Sequence, residues 1–246
     1  MGGILKKLFG KAFPAENAIA PGEAVPAPGS PEAVLLGIKG MLTPVSAAYR
    51  LQYRRNGATP KGVFWSSEEN VRKRFDILCR VFYPEDIATG EASIADLGCG
   101  YGALYDFLKA HPILRGGEYR GYDICESLLD ASKTRVRDPR ASFHLSMRVT
   151  EPADYSFVSG TFNLKLEANE ADWLTYIKIS LEALWNQTDK ALAFNVLDKA
   201  GDEIPQDGLY YADARAFEEF CRDELSPKVE LSIDKPLPDW TLFVSR

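Results

Sequence analysis

The stretch Ser93–Ala103 reads S-I-A-D-L-G-C-G-Y-G-A. An apolar run ends at Asp96, and three glycines follow at alternate positions, Gly98, Gly100 and Gly102. Such a pattern is a strand that stops abruptly and turns tightly into a helix beginning near Tyr101. Glycine lets the backbone take positive φ and lets a ligand approach where a Cβ would block it. The first free N–H groups of the next helix then face whatever sits in the turn. A nucleotide-like cofactor at a strand end is the chemistry this stretch invites.

Beyond residue 90 the chain alternates between two periodicities. Strands are expected at 93–97, 118–124, 141–147, 154–160 and 190–197, with helices at 101–110, 126–136, 169–186 and 213–224. Alternation of this kind implies a parallel sheet with helices on both faces. The link between the third and fourth strands is too short for more than a vestigial helix. Lys228–Asp234 and Trp240–Arg246 are also strand-like, separated only by Lys235-Pro236-Leu237-Pro238-Asp239. Parallel neighbours need a crossover of a dozen residues or more, so the last strand should run antiparallel.

Upstream of residue 90 the pattern is helical. Two short helices are expected at 32–42 and 44–55, the second stopped at Asn56-Gly57. Ser66-Ser67-Glu68-Glu69 reads as a capping box that starts a helix at Ser66, with Val71, Phe75, Leu78, Cys79 and Phe82 on one face. Residues 14–31 are rich in Pro, Ala and Gly and read as a mobile linker. Residues 1–13 place Ile4, Leu5, Leu8 and Phe9 at helical spacing with lysines between, a pattern open to weak membrane or partner contact. The organisation is an extension and linker over 1–31, a helical cap over 32–90, and a cofactor-binding domain over 91–246.

Composition narrows the function classes. The 246 residues carry 46% hydrophobic and 26% charged side chains and a formal net charge of −6, so no global basic field recruits nucleic acid. Cys79, Cys99, Cys125 and Cys221 are scattered, and with only His111 and His144 they offer no metal-ligand spacing. They read as reduced thiols in a cytoplasmic protein. No apolar run approaches the ~20 residues of a membrane span.

The glycine turn alone suits two cofactors. Gly98-Cys99-Gly100-Tyr101-Gly102-Ala103 satisfies the dinucleotide fingerprint, and Asp123 stands where an acid would take ribose hydroxyls. Three features separate the alternatives. Asp96 would repel a pyrophosphate but receive a cationic amino group. Gly102 extends the motif to D-x-G-x-G-x-G. An antiparallel terminal hairpin is foreign to an ordinary dinucleotide domain.

On these residues the chain resembles the class I S-adenosylmethionine-dependent methyltransferases over roughly residues 45–246. The resemblance implies a doubly wound, Rossmann-like, seven-stranded sheet with its last strand inserted antiparallel, helices on both faces and an N-terminal helical cap. It implies that Asp96, Gly98, Cys99, Gly100, Tyr101 and Gly102 form the turn that lines the methionine part of S-adenosylmethionine. Asp123 and Ile124 would hold ribose and adenine. Ser146 and Met147 replace the acid that many relatives use on the adenine amino group. Ser159 and Gly160, followed by Thr161-Phe162-Asn163, would sit beside the reacting sulfonium. That segment is not the Asn/Asp-Pro-Pro-Tyr/Phe of many amino-group methyltransferases, which argues against DNA adenine or glutamine acceptors.

Methyl transfer from a sulfonium needs chiefly alignment and a dry pocket. Trp65, Phe162, Tyr210 and Tyr211 are aromatic candidates to face the methyl group. Tyr49 or Arg74 could reach the methionine carboxylate, and Arg50, Arg54 or Arg55 could hold an acidic acceptor. Asn163, Tyr210, Tyr211 and His144 are the candidate catalytic groups, although His144 reads first as strand interior and His111 as a cap. Residues 32–65 and 199–211 should wall the cleft, with 208–211 as its second wall. The function expected is methyl transfer to a small molecule, on a carboxylate or hydroxyl. An NAD(P)-dependent oxidoreductase and a catalytically silent binding module are the alternatives.

Overall fold

A computed structural model describes residues 31–201 and 204–246, with side chains from residue 36 onward. The extension over 1–13 and the linker up to residue 30 lie outside the described residues.

The helix α1 spans Pro31–Asn56 without a break, although Pro44 lies inside it. Two separate helices were the expectation, and an interior proline lacks a donor and costs roughly 3 kcal/mol. Packing outweighs that cost here. Ile38, Leu42, Val45 and Ala48 form one buried stripe that runs straight through Pro44 into the core. The Thr43 hydroxyl donates to the Lys39 carbonyl at 2.9 Å beside the interruption.

A 3-10 turn at Pro60–Val63 leads to α2, Glu68–Leu78. Its cap is Ser67, one residue later than expected: the Ser67 hydroxyl accepts from the Asn70 N–H at 3.2 Å. Glu69, the acid of the expected box, pairs instead with Lys73 one turn on at 2.7 Å. Pro84 opens a short helix, α3 (Pro84–Thr89), at a position where its missing N–H costs nothing.

From here the alternation holds. The strand β1 is Ser93–Leu97, followed by α4 at Ala103–Leu108, so the helix starts two residues after Tyr101. Next come β2 (Glu118–Asp123), α5 (Glu126–Arg135), β3 (Ala141–Leu145) and β4 (Ala153–Ser159), with no helix between the last two strands. The rest is α6 (Glu170–Trp185), β5 (Thr188–Asp198), β6 (Tyr211–Ala212), α7 (Ala214–Glu224), β7 (Lys228–Ile233) and β8 (Asp239–Ser245).

The sheet order is β3-β2-β1-β4-β5-β8-β7. β1 to β5 are parallel, and β8 lies antiparallel between β5 and β7, in register Asn195↔Thr241. The seven expected strands gain an eighth, since the two-residue β6 pairs with the end of β5. Buried side chains divide by face. Leu97, Val158, Phe194, Trp240 and Leu242 meet α1, α6 and α7, while Ile94, Phe157, Ala193 and Phe243 meet α2 and α4. Alternation along each strand produces that division.

Candidate active site

At the carboxyl ends of β1, β2 and β4 a cleft of about 920 Å³, counting its open mouth, is enclosed by α1, α2 and α6. Open α/β sheets bind ligands at this edge because the strand order reverses there. The floor is the glycine turn. Gly98, Gly100 and Gly102 have φ of 79°, 56° and 83°, values that side-chain-bearing residues rarely adopt. The N–H groups of Gly98 and Cys99 both donate to the Tyr122 carbonyl, at 2.7 and 3.1 Å, tying the turn to the end of β2. From behind, the Ser132 hydroxyl donates to the Gly100 carbonyl at 3.0 Å and Arg135 to the Tyr101 carbonyl at 2.7 Å.

Asp96 and Asp123 are both buried in this cleft. Asp96 accepts from the Tyr119 hydroxyl at 2.5 Å. Burial is the largest influence on its carboxyl and raises it to about 7, against the lowering effect of Tyr119. Asp123 accepts from the Gly100 N–H at 2.8 Å and the Cys125 N–H at 2.7 Å, one on each oxygen. It therefore clamps the glycine turn to the start of α5. Burial raises its carboxyl too, opposed by those backbone donors.

The upper wall comes from α1 and the segment after it. Leu42, Val45, Tyr49, Val63 and Trp65 line it, and the Ser46 hydroxyl holds the Ile124 carbonyl at 3.1 Å. Tyr176 of α6 and Val71 and Phe75 of α2 complete the lining. Burial raises the Tyr49 phenol well above its usual range, and the nearby Asp123 adds to the shift.

Of the residues singled out in the sequence, Asp96, Gly98, Cys99, Gly100, Tyr101, Asp123, Ile124, Ser146, Met147, Ser159, Gly160, Tyr49 and Trp65 all line this cleft. Gly102 caps α4 just behind it. The remaining candidates do not line it. Phe162 is fully buried and packs edge-on against Tyr176 at 5.8 Å, with its carbonyl accepting from the Trp173 indole. Arg54 is exposed at the end of α1, as are Arg50 and Arg55. His144 stacks on Tyr122 at 5.1 Å and bonds Ser142 at 2.9 Å.

Asn163 joins strands rather than substrate: its side chain accepts from the Leu197 N–H at 3.2 Å and its carbonyl from the Tyr210 N–H at 2.9 Å. Tyr210 is buried in the core, and the Tyr211 hydroxyl accepts from the Gln206 N–H at 3.2 Å. Residues 208–211 are thus not a second cleft wall, because Gly208 takes the N–H groups of Lys165 and Leu166 and folds the segment onto that loop. Arg74 is also withdrawn from the cleft, bonded to Asp239 at 2.7 Å. His111 is a cap, as expected, accepting from the Ile113 N–H at 3.2 Å.

Thr161 and the wall from residues 32–65 stand where the sequence placed them, whereas sequence reasoning missed Tyr119, Tyr176 and the α2 side chains Val71 and Phe75. Only Tyr119 had a usable signal: it alternates with Gly121 on the face that Asp96 shares in the neighbouring strand.

Two buried acids face this cleft, and among the described residues no cationic side chain lines it. A fitting ligand must bring its own cation to Asp96 and hydroxyl donors to Asp123. S-adenosylmethionine, the cofactor implied by the resemblance, carries an amino group, a sulfonium and a ribose, so the donor set fits it.

Comparison with known proteins bears on the same point. The chain is 35% identical over 156 residues to Rv1506c of Mycobacterium tuberculosis, a protein with a provisional methyltransferase name. The match spans 63% of this chain and 93% of that protein. Magnesium protoporphyrin IX methyltransferase from Synechocystis PCC 6803, solved with bound S-adenosylhomocysteine, superposes with a TM-score of 0.53 at 14% identity. That alignment covers 72% of this chain and 84% of the other. The S-adenosylmethionine-dependent methyltransferase SibL superposes with a TM-score of 0.54 at 14% identity, over 87% and 74% of the two chains. At such identities the likeness is one of fold. No family model matches the chain.

Proposed function

The chain belongs to the S-adenosylmethionine-dependent methyltransferases with a Rossmann-like fold, and on that premise we propose that it methylates a small, largely apolar molecule on a phenol-like hydroxyl. The observation that carries the acceptor class is the lining of the cleft. Beyond the cofactor turn it is apolar and aromatic, with Val63, Trp65, Val71 and Phe75 on the acceptor side. A carboxylate acceptor would need a cationic clamp, and the arginines that could supply one stand elsewhere. An aliphatic alcohol would need a strong general base, and neither histidine lines the cleft. A phenol-like hydroxyl needs no cationic clamp, and with a pKa of about 10 it ionises far more readily than an aliphatic alcohol, so its phenolate can form in solvent.

When bound, S-adenosylmethionine supplies the methyl electrophile for an in-line displacement. The protein's part is positioning and exclusion of water. Asp96 would hold the amino group, and Asp123, already fixed by two backbone donors, would present its remaining lone pairs to the ribose. Ile124 and Met147 would pack the adenine. Trp65 and Phe75 would hold the acceptor ring as its phenolate, the proton having passed to a base in solution before binding, with the oxygen near Gly160. The small-molecule reading and a cytoplasmic location are supported by the narrow apolar cleft and by four unpaired cysteines.

The test is transfer of labelled methyl from S-adenosylmethionine to a panel of phenols, aliphatic alcohols and carboxylic acids. Label on phenols is the expected result, and label confined to the acids would overturn the acceptor class.

A further inference from the structure

Trp65 stands apart from the other tryptophans. Trp173 and Trp240 are fully buried and donate their indole N–H groups to backbone carbonyls, and Trp185 is 6% exposed. Trp65 is half-buried and lines the cleft at the end of β4. Its indole edge lies so close to Gly160 that a Cβ there would sit 2.9 Å from its Cζ2 atom. It follows Phe64, which has a positive φ of 63°, unusual for a bulky side chain.

What holds the ring is unusual too. The Arg74 guanidinium lies 5.1 Å from the centre of the indole, and Phe75 lies 5.9 Å away. Arg74 is in turn bonded through Nε to Asp239 Oδ2 at 2.7 Å, with side-chain exposures of 11% and 2%. The second carboxylate oxygen, Oδ1, is buried without a partner among the described residues. A buried pair joined by one bond, with an acceptor left over, is a poor source of stability. Its cost makes sense if the pair fixes something else.

We propose that Arg74 is a positioning residue for the transfer end of the cleft: tethered by Asp239 and stacked on Trp65, it holds the indole against Gly160. The acceptor-facing wall then has one shape before the acceptor arrives. Asp239 is the first residue of β8, opposite Leu197 of β5, so the inserted antiparallel strand sets the wall. The purpose of that wall rests on the methyl-transfer reading above; the latch itself does not.

Trp65 is its own reporter. Acrylamide quenching of the full chain, minus that of Trp65→Phe, isolates its signal without any ligand. Arg74→Met and Asp239→Asn should each raise quenching of the Trp65 component at least twofold. The same substitutions placed in Trp65→Phe should leave quenching unchanged. With S-adenosylhomocysteine as the probe, Arg74→Met should shift Kd at least threefold in the Trp65 background and not at all in Trp65→Phe. A merely structural role predicts equal shifts in both backgrounds, and that result, or unchanged quenching, overturns the latch. Should either single variant fail to fold, Arg74→Met/Asp239→Leu removes both buried charges together, a change such pairs tolerate. If wild type binds no S-adenosylhomocysteine while quenching behaves as expected, the methyl-transfer reading fails and the latch stands.

Discussion

Asp96 is surrounded by groups that make its charge expensive. Burial is the largest of these influences and Asp123 adds to it, the hydrogen bond from Tyr119 offsets them only in part, and among the described residues no cation lines the cleft. With its carboxyl raised to about 7, the native protein holds a proton that the unfolded chain has released. The stability this proton contributes is present in full below the ordinary carboxylate range and is lost as pH rises towards 7. Ligand binding has the opposite requirement, since an ammonium group needs the carboxylate. Affinity for S-adenosylhomocysteine should therefore fall about tenfold per pH unit below about 7. Calorimetry at pH 6 in buffers of different ionisation enthalpy should show about one proton released. Asp96→Asn should bind more weakly at pH 8 by ~1.5–3 kcal/mol and lose the pH dependence. A flat wild-type profile between pH 5.5 and 8 would remove Asp96 as the ammonium partner. The position of Asp96 was legible because an acid at the end of an apolar strand is a local pattern. Its protonation was not, because it depends on burial beneath elements distant in sequence and on how far Tyr119, brought opposite Ile94 by the strand register, offsets it.

At the scale of an element, the turn after β1 is fixed by a neighbour distant in sequence. A Cβ on Gly98 would lie 2.1 Å from Thr161 Oγ1, and that hydroxyl donates to the Leu97 carbonyl at 2.9 Å. Two penalties coincide in Gly98→Ala: a left-handed φ of 79° and displacement of the bond that joins the ends of β1 and β4. Together they should lower the unfolding free energy by ~2–4 kcal/mol. Urea denaturation should show a lower midpoint with an unchanged slope. An unchanged midpoint would mean that the turn relaxes freely and Thr161 is no constraint. The need for glycine was readable from S-I-A-D-L-G-C-G, but the identity of the obstructing atom was not. Pro44 shows the reverse case. Local chemistry argued for a helix break, and a buried stripe through Leu42 and Val45 overrode it. Propensity is visible in a window of ten residues, whereas the surface that α1 covers is made by α5 and by a buried cluster drawn from the whole sheet.

In the whole molecule, the cleft is where elements from both faces of the sheet meet. Leu42, Val45 and Tyr49 of α1 and Tyr176 of α6 come from one side, Val71 and Phe75 of α2 from the other. The antiparallel final strand was legible from a five-residue link alone, because chain geometry forbids a parallel return. The assignment of Phe162, Tyr210 and Asn163 to the cleft was not, since a loop after a strand can turn its side chains to either layer. These turn inward, where the Trp173 indole and the Leu197 N–H use their polar atoms. A ligand seated in the cleft touches every layer at once, so its binding should register as global stability. At a concentration one hundred times Kd, S-adenosylhomocysteine should add ~2.7 kcal/mol and raise Tm by about 5–11 °C. NADH should leave Tm unchanged: its pyrophosphate would meet Asp96 at the end of β1, and among the described residues no cation in the lining offsets that repulsion. Stabilisation by NADH and not by S-adenosylhomocysteine would hand the glycine turn back to the dinucleotide reading, with Asp96 neutral and Asp123 holding a different ribose.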